Sequence, residues 1–204
     1  MKNGVSVGTT AERIAETALR ILEASGPEEV TMRRVAQEVG ITPMAIYHHF
    51  RSREDLLRAV TEAEFQQLLS SIEARRAKAR RSRTKDRSTN MQIELMEGYI
   101  DYALARPRLF DYVFARPRPG ARRYPADFRA RKSPTLNVIA DELSEGIRTG
   151  DLRKSNVWEI AFGLWAHVHG YVALYRAGRI DLSEKRFREM CRRSMERLMN
   201  GLKS

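Results

Sequence analysis

Residues 31–50 read TMRRVAQEVGITPMAIYHHF, and this short run carries most of the information about the architecture. Its apolar residues recur at i, i+3, i+4 and i+7 from Met32 to Val39, which predicts one buried face of a short helix. Thr31 precedes that face and has the side chain of an N-cap. Gly40 follows it directly, as a left-handed helix stop requires.

A second helix is predicted to begin only two residues after the glycine. Thr42 is its N-cap candidate, and Pro43 occupies the first helical position, which proline tolerates. Two short helices joined by a tight turn with glycine are the signature of a helix-turn-helix. We assign Ile46 and Phe50 to the core. The exposed positions of this helix are candidates for entering a DNA major groove: Pro43, Met44, Tyr47 and His48.

This segment resembles the TetR family of bacterial transcriptional regulators over about residues 9–60. The residues that carry the resemblance are Thr31, Arg33, Val35, Ala36, Gly40, Ile41, Tyr47, His49, Phe50, Leu56 and Leu57. One difference is Arg53, where the family more often has lysine. Arginine keeps the positive charge but offers a different hydrogen-bonding geometry.

The predicted DNA contacts fall into two kinds. We expect Arg33 to donate to guanine and His48 to contact a base edge, while Pro43, Met44 and Ala45 meet thymine methyl groups. The resemblance implies phosphate contacts from Thr42, Tyr47, His49 and Arg53, which position the protein without specifying sequence. The complete predicted set is Thr31, Arg33, Thr42, Pro43, Met44, Ala45, Tyr47, His48, His49 and Arg53.

The rest of the chain predicts an all-α protein of about nine helices, because apolar residues recur at helical spacing and strand signals are nearly absent. We predict a helix-turn-helix DNA-binding domain over residues 9–55. A larger helical domain for effector binding and dimerisation should occupy residues 56–204, and residues 1–8 should be disordered. The polar residues 74–90 are interpreted as a frayed helix end with a linker, and residues 115–127 as a loop.

The net charge of +11 does not lie on the helix-turn-helix. Residues 1–60 contain eight basic and eight acidic side chains, whereas excess positive charge accumulates in residues 75–87 and 116–132. Each basic run is either a surface that attracts phosphates or a solvated helix end and loop, and the second is the more common. The sequence leaves open whether these runs touch DNA.

The helix predicted over residues 156–177 is apolar on two sides, so one side can face its own core and the other a second copy. Residues 165–170, Trp-Ala-His-Val-His-Gly, resemble the Trp-x-x-x-His-Gly motif of one TetR C-terminal domain class. The resemblance implies a homodimer formed by the last two long helices; the alternative is an intramolecular core. The predicted interface residues are Leu164, Val168, Tyr171, Phe187, Cys191 and Leu198.

A cavity for a small hydrophobic effector is predicted among the aromatic residues of the larger domain. Its candidate lining is Tyr99, Tyr102, Phe110, Phe114, Leu143, Phe162, Trp165 and His169. His169 is the best polar anchor. The alternative is that these aromatic side chains are ordinary core residues, which helical spacing produces more often.

The sequence contains no phosphate-binding glycine loop, nucleophile elbow or metal-ligand spacing, so we expect no enzyme activity, no cofactor and no metal. The single Cys191, the lack of a signal peptide and the lack of a membrane-length apolar run predict a cytoplasmic protein that does not contact a membrane. We predict a ligand-responsive repressor that an effector releases from a pseudo-palindromic operator. The alternatives are a DNA-binding activator, an architectural protein, or an adaptor for a protein partner.

Overall fold

The computed structural model describes residues 9–82, 84, 86–115 and 120–204. Within these ranges the chain is α-helical without any strand, which confirms the predicted all-α class. The helices are α1 (Thr10–Ser25), α2 (Met32–Val39), α3 (Pro43–Tyr47), α4 (Arg53–Arg81), α5 (Arg87–Ala105), α6 (Pro107–Phe110), α7 (Ala126–Arg129), α8 (Pro134–Thr149), α9 (Val157–Arg176) and α10 (Glu184–Asn200). A 3₁₀ turn at Pro27–Glu29 and a π-helical turn at Asp111–Ala115 complete the helical structure. No helix in the described ranges is long and apolar enough to cross a bilayer.

The chain forms two compact units. The first, called the head, contains residues 1–66 and 106–118, and the second, called the body, contains residues 67–105 and 119–204. The head therefore holds α1 to α3, the first part of α4, and α6. The inclusion of α6 was not anticipated from the sequence, because about forty residues separate it from the rest of the head.

The head is built on helix ends that the sequence specifies locally. Thr9 and Glu12 form a capping box at the start of α1, and Gly26 ends that helix with a positive φ of 94°. Helix α6 is attached to α1 by the Glu23 carboxylate, which accepts the Leu109 backbone N–H at 2.8 Å. Leu109 itself is fully buried, so this small helix contributes to the head's core.

The body packs α5, α8, α9 and α10 around a common apolar core. Gly146 on α8 shows how closely the elements approach, since a Cβ there would lie 2.8 Å from both Leu152 and Ser88. Asn156 and Ser183 are the N-caps of α9 and α10, and their side chains accept backbone N–H groups of the first turns.

The interpretation of residues 74–90 as a frayed end and linker was wrong for most of that range. Helix α4 continues to Arg81 and α5 begins at Arg87, which leaves a connection of only five residues. Within the basic run, Arg76 and Arg80 donate to the buried carboxylate of Glu142 at 2.6 and 2.5 Å. This shared acidic partner lies more than sixty residues away in the chain, so local composition could not reveal it.

The predicted loop over residues 115–127 is confirmed only in part. Helix α7 begins at Ala126, and this short helix accounts for the difference between nine predicted and ten observed helices in the described ranges. Residues 116–119 lie outside the described residues, as do residues 1–8, for which disorder was predicted.

Candidate nucleic-acid interface

Helix α2 has the boundaries that its sequence predicts. The Thr31 hydroxyl accepts the Arg34 backbone N–H at 3.2 Å, which confirms the N-cap. Gly40 adopts the left-handed conformation at φ 80° and ψ 34°, and its N–H returns to the Ala36 carbonyl at 3.0 Å. These two ends fix the direction in which the chain leaves α2 and enters α3.

Helix α3 has one buried side and one strongly exposed side. Thr42 caps it by accepting the Ala45 N–H at 3.2 Å, and Pro43 is its first residue, as predicted. Ile46 is fully buried, whereas Met44 is 70% exposed and Tyr47 49% exposed. A large apolar side chain on a solvated surface loses the stabilisation that burial provides, so this face has the character of a binding surface.

Most of the predicted DNA-contact residues lie on the protein surface. Arg33 is exposed on α2, and it makes no ion pair or side-chain hydrogen bond within the described part of the chain. Ala45 is half-buried. The other exposed members of the set are Thr31, Thr42, Pro43, Met44, Tyr47, His48 and His49.

Arg53 occupies a different environment from the one expected of a phosphate contact. Its Nε donates to the Val30 carbonyl at 2.8 Å and its Nη2 to the Pro27 carbonyl at 2.5 Å. Both carbonyls belong to the connection between α1 and α2. The guanidinium therefore fastens this connection to the first residue of α4.

Two other arginines also hold the head together, and the sequence analysis did not identify either role. Arg34 pairs with Glu29 at 2.9 Å and Glu38 at 3.1 Å, and Arg13 donates to the Val39 carbonyl at 3.1 Å. Only the Arg34–Glu38 pair has a local signal, the i, i+4 spacing.

A row of aromatic rings follows α9 in the body. Phe162 contacts Tyr124 at 4.5 Å and Trp165 at 5.4 Å between ring centroids, and Trp165 contacts His169 at 5.6 Å. The row ends at Tyr99 of α5, whose hydroxyl lies 2.9 Å from His169 Nδ1. Of the predicted effector residues, Phe162, Trp165, His169 and Tyr99 are therefore adjacent.

Burial determines the protonation of the two polar groups at the end of this row. It lowers the pKa of His169 below its ordinary value and raises the pKa of Tyr99. Both shifts favour the neutral form, so a neutral phenol and a neutral imidazole share this hydrogen bond. The pair gives the aromatic row an uncharged polar end.

The remaining predicted effector residues are distributed between the two units. Phe110 and Phe114 are in the head, where they contact each other at 5.0 Å and Phe114 meets Phe65 at 6.1 Å. Leu143 is fully buried on α8, and Tyr102 is half-buried on α5. Leu143 thus behaves as a core residue of the body.

Four of the six predicted interface residues are buried within a single protomer: Leu164, Val168, Phe187 and Cys191. They pack in the body's own core, where burial also raises the pKa of the Cys191 thiol to about 11. Leu198 is 38% exposed, and Tyr171 is half-buried beside His167 and Ser194. Three small residues of α9 are also exposed: Gly163, Ala166 and Ala173.

Comparison with known proteins agrees with this architecture. The chain is 23% identical to the HTH-type transcriptional regulator Rv1816 of Mycobacterium tuberculosis over 141 residues, which are 69% of this chain and 58% of that relative. It thus spans less than two thirds of that relative's length. A protein of unknown function from Rhodococcus sp. RHA1 has the same fold, with a TM-score of 0.80, 21% identity and full coverage of both chains.

A second solved structure has a bound ligand. FadR of Bacillus subtilis, solved in complex with stearoyl-CoA, matches with a TM-score of 0.69 and 15% identity over 94% of this chain and 98% of that one. Two family models also match the sequence. Residues 8–60 match the model described as bacterial regulatory proteins of the tetR family, and residues 93–199 match the tetracyclin repressor-like C-terminal domain. Together with the helix-turn-helix of the head, these matches show that the chain belongs to the TetR family of bacterial regulatory proteins.

Proposed function

We propose that this protein is a DNA-binding transcriptional repressor whose operator affinity is controlled by a small hydrophobic effector. The observation that carries the DNA-binding part is the exposed face of α3, where Met44 and Tyr47 project from a helix whose opposite side is buried through Ile46. An α-helix with its side chains is about 10–12 Å in diameter, so α3 fits into a major groove about 12 Å wide.

Within that groove, Arg33 supplies the strongest sequence discrimination. Its exposed guanidinium on α2 can donate two parallel hydrogen bonds to one guanine. Met44 and Ala45 supply apolar contact to thymine methyl groups. Thr42, Tyr47 and His49 are positioned on the same exposed segment to hold phosphates, which sets the register of the head on the duplex.

The functional particle proposed is a homodimer formed by α9 and α10. The exposed small residues of α9 permit close approach of a second helix, and Leu198 and Tyr171 supply apolar area beside them. A two-fold dimer presents two copies of α3. Its operator is then a pseudo-palindrome whose half-sites lie about one helical turn, 34–36 Å, apart.

The effector site proposed is the aromatic row between Tyr124 and Tyr99. Aromatic rings with a neutral polar end suit a ligand that is mainly apolar and has few hydrogen-bonding groups. The motif Trp165 to Gly170 resembles that of a TetR effector-domain class, and FadR shows that a related fold can hold a long acyl ligand. Effector binding lowers operator affinity only if the ligand prefers the conformation that cannot engage both half-sites.

The proposal is tested by selecting binding sites from a random duplex library with the full-length protein. We expect enrichment of one pseudo-palindromic sequence. The variant Met44→Glu should enrich none, because a carboxylate in the groove is repelled by phosphates and cannot contact a thymine methyl group. Wild-type protein that retains duplexes without any sequence preference would favour an architectural role, and protein that retains no duplex would favour an adaptor.

A further inference from the structure

Two arginines lie two residues apart at the start of α4, and their surroundings differ sharply. Arg53 donates to the carbonyls of Val30 and Pro27 and has carboxylates of Glu28 and Glu54 within 3.8 Å. Arg51 is exposed, and within the described ranges its side chain makes no ion pair or hydrogen bond.

The positive charge of Arg53 is therefore largely compensated by groups of the head. Two of its donor atoms are committed to carbonyl oxygens, and two nearby carboxylates offset its positive charge. A phosphate approaching this guanidinium would also meet both carboxylates. The electrostatic gain from such a contact would be small, because a like-charged neighbour opposes it.

The positive charge of Arg51 is available for contact with a DNA phosphate. Its backbone N–H is used by the Asp55 carboxylate at 3.1 Å, and that carboxylate also pairs with Arg58. Arg51 lies two residues after exposed His49 and four residues after Tyr47, which limits the Cα distance from Tyr47 to about 14 Å. A long, flexible guanidinium at this place can reach the same DNA backbone that the end of α3 approaches.

We infer that Arg51 is a phosphate-contacting residue of the DNA interface and that Arg53 is a positioning residue. Arg53 acts by fastening the connection between α1 and α2 to α4, which holds the helix-turn-helix in its binding orientation. This inference rests on the proposed DNA-binding function. It goes beyond that function because it moves to Arg51 the phosphate contact that sequence resemblance assigns to Arg53.

The salt dependence of operator binding separates the two roles. Each phosphate that a protein neutralises contributes about 0.9 to the slope of log K against log salt concentration. With full-length protein and the selected operator, Arg51→Gln should make that slope shallower by about 0.9 per protomer and weaken binding about fivefold at moderate salt. Arg51→Lys, which retains the charge, should restore both the slope and the affinity.

Arg53 should give the opposite pattern. Arg53→Lys retains the charge but cannot donate to two carbonyls in a fixed fork, so we expect lower thermal stability, weaker binding and an unchanged salt slope. Arg53→Gln should also bind more weakly with an unchanged salt slope, and its thermal stability should be lower than that of Arg53→Lys. Because Arg53→Lys is the milder change, it keeps the test valid if Arg53→Gln does not fold.

Two results would overturn the assignment. One is an unchanged salt slope in Arg51→Gln. The other is a normal affinity and stability in Arg53→Lys together with a shallower slope in Arg53→Gln, since that combination identifies Arg53 as the phosphate contact. Failure of the proposed function looks different, because wild-type protein would then bind no duplex at any salt concentration.

Discussion

The Tyr99 hydroxyl is hydrogen-bonded to Nδ1 of His169 at 2.9 Å, and this hydrogen bond joins α5 to α9 inside the body. Tyr99 is buried, and the Trp165 ring lies tilted against the imidazole at 5.6 Å between ring centroids. The pair is thus both a structural connection and the polar end of the proposed effector site.

Removal of this hydroxyl should cost stability without unfolding the protein. Tyr99→Phe keeps the ring but removes the hydrogen bond to Nδ1 of His169, which we expect to cost about 1 kcal/mol of unfolding free energy. For a chain of this size the melting temperature should fall by about 2–4 °C. Thermal denaturation followed by circular dichroism measures the shift. A melting temperature equal to that of the wild type would show that the hydrogen bond contributes nothing.

The stability of the protein should also depend on pH through His169. Burial lowers its pKa from the ordinary value of 6.5, so the unfolded chain binds a proton more readily than the folded one. This contribution to stability is complete above pH 6.5 and is lost as the pH falls towards the folded pKa. Urea denaturation at pH 7.5 and 5.5 should show a loss that His169→Gln reduces.

His167 is a second source of the same pH dependence, because burial lowers its pKa as well while its Nε2 lies 2.9 Å from Ser194 Oγ. We expect His167→Gln to reduce the pH dependence separately from His169→Gln. If neither variant changes it, another group determines the acid sensitivity.

Trp165 should connect effector binding to DNA release. Trp165→Ala removes the central ring of the aromatic row, so we expect a weaker effector response while operator affinity without effector stays within about threefold. Trp158→Ala is the control, since Trp158 lies on the same helix but contacts Arg131 at 6.0 Å instead of this row. DNA binding with and without candidate ligands, beside thermal stability, provides the readout. A Trp165→Ala protein that melts and responds normally would exclude this residue from the effector site.

The oligomeric state should respond to the exposed residue Leu198. Leu198 is 38% exposed in one protomer, so the charge introduced by Leu198→Glu should leave the monomer folded. The same charge should weaken the dimer, because it replaces an apolar contact of the proposed interface. Leu164→Glu should instead unfold the body, because Leu164 is buried in the protomer's own core.

Light scattering should give about twice 23.5 kDa for the wild type and for the head variant Met44→Glu. A stable wild-type monomer at micromolar concentration would refute the dimer.

The helix-turn-helix could be predicted from the sequence because its helix ends carry local capping and stop signals. The helix-end signals act on the nearest turn of backbone, so their roles do not depend on contacts with distant parts of the chain. These signals are Thr31, Gly40, Thr42 and Pro43. Exposure of Met44 also followed, because a five-residue helix can bury only one side.

The features that the sequence missed depend on partners that are distant in the chain. The frayed end predicted for α4 is instead held by Glu142, and Arg53 is turned towards two carbonyls more than twenty residues earlier. Helical periodicity identified Leu164 and Phe187 as buried but could not say whether their own core or a second copy covers them. Contacts of this kind are set by the packing of whole helices.

The central claim is that the head binds one DNA sequence through α2 and α3. The most direct test is a titration of full-length protein against the selected operator and a scrambled duplex at the same salt concentration. We expect about a thousandfold preference for the operator. Arg33→Ala should lose about 1–3 kcal/mol on the operator and little on the scrambled duplex, Tyr47→Phe should weaken both similarly, and Arg148→Ala in the body should change neither. Equal affinity of the wild type for both duplexes, or wild-type affinity in both Arg33→Ala and Tyr47→Phe, would contradict the account.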